Sequence, residues 1–152
     1  MSYARLHTAC ISVATVIPIL VEVDVQPGLP VFSIIGLPDK GLEEARQRVR
    51  SAIRNSGYAF PLGRVTDNLS PSHLRKQGSS YDLPIALGIL TATHVISELR
   101  QDLWVLGELG LEGEVRDVAR LPFWLQPLGK VWNVLFRRKL NEMRYQKRKW
   151  SG

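Results

Sequence analysis

The apolar run at 83–90 constrains this chain most, because a helix without a polar face has to be buried on nearly all sides. Asp82, directly before the run, is predicted to be its N-cap, and Pro84 fits the first turn, where a missing N–H is not needed. A polar loop at 70–81 leads into this helix, so free backbone N–H groups gather at the junction. Such a junction can bind an anion, hold a nucleophile or simply pack, and the sequence leaves these three alternatives open.

Strand patterns precede this helix. Residues 3–25 are predicted to form two strands separated by Pro18. Residues 31–36 are apolar enough to predict a central strand of the sheet. Residues 64–69 predict a further short strand, in which the carboxylate of Asp67 has to face solvent or find a partner.

A second helix is predicted between Asp39, a suitable N-cap, and Gly57, the residue expected just past its C-terminus. Five apolar residues of this segment fall on one helical face: Leu42, Ala45, Val49, Ala52 and Ile53. Its arginines form a possible interaction face: Arg46, Arg48, Arg50 and Arg54. They either contact phosphate or form a solvated face matched to the helix dipole.

A hairpin is predicted further along the chain, with arms at 103–109 and 115–118. Strands and helices in this order predict an α/β (α+β) fold, a single compact unit with a mixed sheet and packed helices. A C-terminal basic amphipathic helix follows it.

The basic charge of the chain is concentrated at its C-terminal end. The chain carries a net charge of +6, and residues 130–152 hold eight basic side chains against one acidic side chain, a local net charge of +7. Aromatic residues are interleaved with this charge, a combination that can neutralise phosphates and stack on bases. A nucleic-acid-binding tail is therefore one hypothesis, and a membrane-surface helix is its rival. The tail residues proposed for nucleic acid are Arg137, Arg138, Lys139, Lys147, Arg148 and Lys149.

Several classes of site are not expected. No G-x-x-x-x-G-K-[ST] motif occurs, so this chain is not expected to hydrolyse nucleotide by that route or to bind a cofactor. His7, His73 and His94 lack metal-ligand spacing, so no metal is expected. The single cysteine, Cys10, excludes a disulfide framework and is expected to be a structural thiol, since a reactive one would need a basic neighbour. With no signal peptide and no membrane span in the pattern, a cytoplasmic location without membrane contact is expected.

Ser79 and Ser80 are candidate nucleophiles, because they lie just before a helix N-terminus whose N–H groups could serve as an oxyanion hole. A nucleophile also needs a base, and Lys76 is close in sequence. The alternative is that both serines satisfy backbone groups at a loop–helix junction.

A series of motifs between about residues 3 and 122 resembles the N-terminal domain of the YifB/ComM family of magnesium-chelatase-like AAA+ ATPases. They include Ile35-Gly-Leu-Pro-Asp39, Arg46-Gln-Arg-Val-Arg50, Arg54-Asn-Ser-Gly57, Asp82-Leu-Pro-Ile-Ala-Leu-Gly-Ile-Leu90 and Leu106-Gly-Glu-Leu109. The resemblance implies a fold like that of the Lon protease domain at 1–120. It also implies ATP and Mg²⁺ binding by full-length members, a hexameric ring of full-length chains, and a role in DNA branch migration and natural transformation.

The same resemblance places Ser80 where Lon proteases carry their nucleophile. The position of the Lon general-base lysine falls on or near Pro122, which cannot act as a base. No peptidase activity is therefore expected, and a Lon-like serine peptidase is the weakest of the hypotheses.

The family pattern stops abruptly after Pro122. A divergent aromatic and basic tail at 121–152 replaces the ATPase core that the family would continue with, which suggests a truncated or frameshifted product or a short variant. The leading hypothesis is a non-catalytic accessory and assembly domain of a ComM-like ATPase implied in DNA processing. The alternative is a small nucleic-acid-binding protein acting through its tail.

Overall fold

A four-stranded sheet forms one layer of the protein, whose computed structural model describes residues 2–11, 16–101 and 103–116. Strands β1 (Ser2–Ile11) and β2 (Val16–Gln26) pair antiparallel. Strand β3 (Phe32–Ile35) pairs parallel with β4 (Arg64–Ser70), which in turn pairs antiparallel with β2. The order β1-β2-β4-β3 therefore makes a mixed sheet, as the sequence predicts.

Pro18 does not separate two strands, which corrects the prediction. It lies inside β2, opposite Ala9 of β1. The pairing of β2 with β4 begins only at Leu20, so no residue of β4 faces Pro18. A missing N–H is tolerated at such a place, where the strand has a neighbour on one side among the described residues.

Strand β3 lies at an edge of the described sheet, so the prediction of a central position is wrong. Phe32 is buried, but Ile35 keeps 48% of its surface exposed. The apolar character of this segment reflects partial burial of one short parallel strand, and strand order cannot be derived from hydropathy alone.

The predicted helix after Asp39 is confirmed, with a break at Glu44 between α1 (Lys40–Glu43) and α2 (Ala45–Asn55). The Asp39 carboxylate accepts a hydrogen bond from the Leu42 amide at 2.7 Å, so this residue is the N-cap that the sequence predicts. The five apolar residues of the predicted face are all buried: Leu42, Ala45, Val49, Ala52 and Ile53.

Helix α3 (Asp82–Ala92) is buried along its whole length, as its uniformly apolar sequence predicts. It packs against β1 and β2 and also contacts α2. Gly88 lies at the closest approach, where an added Cβ would meet the Val23 side chain of β2 at 2.5 Å. The absence of a side chain at this position lets the helix lie directly on the sheet.

The predicted hairpin is present but shorter, with β5 (Glu108–Leu109) pairing antiparallel with β6 (Val115–Arg116). Its first arm does not extend back to residue 103, since the Val105 amide donates to the carbonyl of His7 in β1 at 2.9 Å. The α/β class is confirmed. The predicted C-terminal helix and the tail at 121–152 lie outside the described residues. In the part of the chain that is described, helices are too short or too polar to cross a membrane.

Candidate functional site

The loop before α3 is attached to the segment between β3 and α1 by backbone hydrogen bonds. The Lys76 amide donates to the Leu37 carbonyl at 3.0 Å, and the Lys76 carbonyl accepts from the Asp39 amide at 3.0 Å. The Lys76 side chain is fully buried, and its ammonium group donates to the Pro71 carbonyl. Burial lowers the pKa of Lys76.

The backbone carbonyls of the two candidate nucleophiles both accept hydrogen bonds. The carbonyl of Ser79 accepts from the Asp82 amide at 3.2 Å, and that of Ser80 accepts from the Gly107 amide at 3.0 Å. Lys76 is bonded to Pro71 instead of to Ser80, so the described residues do not form a serine–lysine pair. That Ser80 is inactive stays a prediction.

The N-terminus of α3 is occupied by the carboxylate of Asp82, but not as an N-cap. Tyr81 holds the capping position and makes no side-chain cap bond, while Asp82 is the first helical residue. Its fully buried side chain forms a two-point ion pair with Arg48 of α2, at 2.7 Å from Nε and 3.1 Å from Nη2. The Leu109 amide of β5 donates to the same carboxylate at 3.1 Å. The predicted cap is therefore a link between helix α3, helix α2 and strand β5.

Burial raises the pKa of Asp82 to about 6, against the opposing effects of Arg48 and the Leu109 amide. Because an ionised carboxylate already lies at this helix N-terminus at neutral pH, a second anion would be repelled. Among the three alternatives for the junction, the geometry favours packing over anion binding and nucleophilic catalysis.

The four arginines of α2 separate into two groups. Arg48 turns toward the interior, to Asp82, and also lies 3.8 Å from the Glu44 carboxylate. The other three, which we call the arginine row, point away from the buried face: Arg46, Arg50 and Arg54. Sequence reasoning grouped all four, because nothing local distinguishes the one whose partner lies 34 residues away.

Asp67 neither faces solvent nor finds a partner, so that prediction is wrong. It is fully buried in β4, between Val23 of β2 and Ile34 of β3, and both of its carboxylate oxygens lack a hydrogen-bond partner. Burial raises the pKa of Asp67 well above its ordinary value, which favours the protonated, uncharged form of the carboxyl group.

Cys10 is half-buried and lies close enough to Lys76 and Tyr81 to influence their pKa values. Burial lowers the pKa of Lys76, an effect that Cys10 partly opposes, and burial raises the pKa of Tyr81, an effect to which Cys10 adds. The basic neighbour that a reactive thiol needs is thus close by, but Lys76 is already bonded to Pro71. The described residues contain no group of three or more His, Cys, Asp or Glu side chains that could hold a metal ion.

Comparison with known proteins identifies relatives of this chain. A family model described as subunit ChlI of Mg-chelatase matches residues 21–125. YifB of Escherichia coli strain K12 is 44% identical over 119 residues, which are 78% of this chain and 24% of that protein. The competence protein ComM of Haemophilus influenzae is 44% identical over 102 residues, which are 66% of this chain and 20% of that protein.

The chain thus spans about a quarter of the length of the curated relatives it matches, 24% for YifB. The predicted resemblance to YifB and ComM is confirmed, and members of this family are ATPase-like. Because the family model covers more than half of its residues, this chain belongs to the Mg-chelatase subunit ChlI family.

Proposed function

We propose that this chain is a non-catalytic accessory and assembly module of a ComM-like ATPase that acts in DNA processing. One observation carries the proposal: the loop and helix N-terminus that could have formed a reaction site are used for packing. Asp82 is paired with Arg48, and Lys76 is bonded to Pro71. A junction whose carboxylate is paired with Arg48 and whose lysine is bonded to a backbone carbonyl holds a domain together and leaves little for a substrate.

The relatives supply the biological setting of the proposal. ComM of Haemophilus influenzae is a competence protein, and the shared segment makes up 20% of it. In this proposal the remaining part of a full-length relative binds ATP and Mg²⁺ and forms the ring, while the segment matched here supports assembly. The proposed location is the cytoplasm, where a protein that handles incoming DNA has to work.

A chimera tests this function. The segment of Haemophilus influenzae ComM that matches this chain is replaced by the corresponding residues of this chain, and natural transformation is measured. We expect the chimera to restore transformation to a strain that lacks ComM, whereas ComM without the segment does not.

A matched control is the same chimera with Leu87→Asp, which places a charge in the fully buried helix α3 and should abolish both folding and transformation. If the unaltered chimera accumulates as a folded protein but transforms no better than the deletion, the proposed accessory role is wrong.

The basic tail supports a second candidate, nucleic-acid binding by the chain itself. Its motivation is the local net charge of +7 at 130–152. Glutamine at the six tail positions should then remove most of the salt-dependent affinity for DNA. Affinity unchanged by these substitutions would exclude the tail as the binding element. The positions are Arg137, Arg138, Lys139, Lys147, Arg148 and Lys149.

A further inference from the structure

The arginine row is a slanted line of charge along α2, because residues four apart on a helix are offset by about 40° around its axis. Its members are spaced four residues apart, so successive Cα atoms are separated by about 6 Å along the helix axis and the row is about 12 Å long. Arg46 and Arg54 are exposed and Arg50 is partly exposed. The opposite side of the helix, with Val49 and Ile53, is fully buried. The row therefore faces outward over its whole length.

The charges of the arginine row are not neutralised. Arg46 donates only to backbone carbonyls, those of Glu43 at 3.3 Å and Phe32 at 3.4 Å. The Arg50 guanidinium lies over the Phe60 ring, 5.2 Å from its centroid. Among the described residues, no carboxylate lies within ion-pair distance of the row, in contrast to Arg48. Two of the three guanidinium groups are thus held in place by neutral partners and keep their full charge.

A groove of about 470 Å³ runs beside the N-terminal half of the row, between α2 and the edge strand β3. Lys40 adds a positive charge to its lining. Of the two acidic residues there, Glu44 is 3.8 Å from Arg48, and Glu43 has no ion-pair partner among the described residues. Because the charge of Arg48 is already paired with Asp82, both Glu43 and Glu44 oppose an anion at this surface.

From this geometry we infer that the arginine row binds the phosphate backbone of a DNA strand. Neighbouring phosphates of an extended strand are separated by one sugar–phosphate repeat, a length similar to the ~6 Å between successive arginines of the row, so the row can contact three successive phosphates. Guanidinium groups suit phosphate, because they donate two parallel hydrogen bonds and stay charged. The row contains no group placed to read bases, so the binding is independent of sequence. The inference rests on the proposed DNA-processing role only for the choice of DNA as the nucleic acid.

The test compares two triple variants of the full chain that change the net charge equally. One is Arg46→Gln with Arg50→Gln and Arg54→Gln. The other alters three exposed arginines elsewhere, Arg5→Gln with Arg64→Gln and Arg75→Gln. Binding of a labelled oligothymidine is measured between 50 and 200 mM salt, as is thermal unfolding. We expect the row variant to reduce the slope of log affinity against log salt by about 2, since three single-strand contacts contribute about 0.7 each. The second variant should keep the slope.

Two single substitutions extend the test. Glu43→Gln removes one of the two opposing charges and should tighten binding roughly two- to threefold at low salt. Arg54→Gln changes an exposed side chain, so it should fold normally and remove about one third of the effect of the row variant.

The inference is overturned if the row variant keeps the slope of the unaltered chain, if both triple variants lose it equally, or if the unaltered chain does not bind the oligonucleotide. A slope that depends only on the tail substitutions also overturns it. These outcomes leave the accessory role untouched, because that role is decided by whether the ComM chimera supports transformation.

Discussion

At the scale of single residues, Asp67 places a carboxyl group without a hydrogen-bond partner in the described core, which is unfavourable for folding. Its folded-state pKa is raised by burial, whereas an unfolded aspartate titrates near pH 3.9. Between about pH 4 and the folded-state pKa, the unfolded chain releases this proton and the folded chain retains it. The contribution of Asp67 to stability is therefore fully present at acidic pH and is lost as the pH rises toward its folded-state pKa.

Asp67→Asn removes this titration while keeping the shape of the side chain. We expect the free energy of unfolding of the variant to exceed that of the unaltered chain by an amount that grows by about 1.4 kcal/mol per pH unit above pH 4, up to the folded-state pKa. Urea unfolding at pH 4, 5.5 and 7 measures the difference. Glu112→Gln, which changes an exposed carboxylate, is the matched control. Parallel pH profiles for Asp67→Asn and the unaltered chain would show that Asp67 is ionised in the folded state.

At the scale of elements, two glycines end or follow elements for different physical reasons. Gly57 follows α2 with φ of 89°, and the Tyr58 amide behind it donates to the Ile53 carbonyl at 3.1 Å, which closes the helix. Gly36 follows β3 with φ of 109°, and a Cβ there would collide with the carbonyl oxygen of Leu69 in β4. Glycine is needed at Gly57 only for its backbone conformation, whereas at Gly36 a side chain would also have no room.

Alanine at each position separates these two requirements. Gly57→Ala should lower the free energy of unfolding by roughly 1–2 kcal/mol, since a Cβ there meets no atom within 4 Å and only the backbone conformation is strained. Gly36→Ala should lower it by roughly 2–5 kcal/mol, because backbone strain and overpacking add. Urea unfolding of both variants measures the ranking. Equal losses of unfolding free energy would mean that β3 can shift away from β4 at no cost in free energy.

The sequence predicts elements best where the signal is local. The buried face of α2 follows from its 3.6-residue period and the Asp39 cap from its position, and both are confirmed. The edge position of β3 could not be predicted, because strand order depends on contacts between distant segments. The role of Asp82 was missed for the same reason: its acidic side chain before an apolar run is typical of a cap, and Arg48 lies 34 residues away.

At the scale of the whole molecule, the Arg48–Asp82 pair joins α2 to α3 and, through the Leu109 amide, to the small second sheet. The pKa of Asp82, about 6 in the folded state, lies above its ordinary value. Its contribution to stability is therefore present below pH 4 and falls as the pH rises through 6. Arg48 limits that fall by stabilising the ionised form.

Arg48→Met should raise the pKa of Asp82 further and destabilise the protein in a pH-dependent way. At pH 8 we expect a loss of about 3 kcal/mol, because a buried carboxylate is left without its partner. At pH 5 the loss should be clearly smaller, since Asp82 is then mostly protonated. Urea unfolding at both pH values and the carboxyl-carbon NMR titration of Asp82 measure these effects.

Arg46→Met, which alters an exposed arginine of the same helix, should change little at either pH. A loss for Arg48→Met that is equal at pH 5 and pH 8 would contradict the assigned coupling between the two side chains.

The complete burial of α3 has a consequence for synthesis of the chain. All four strands of the larger sheet precede α3 in the sequence, so they leave the ribosome before the helix that covers β1 and β2. Until residue 92 has emerged, the inner side of this sheet is apolar and open to water. A chaperone that recognises apolar strands would have its best opportunity during this interval, and the arrival of α3 would end it.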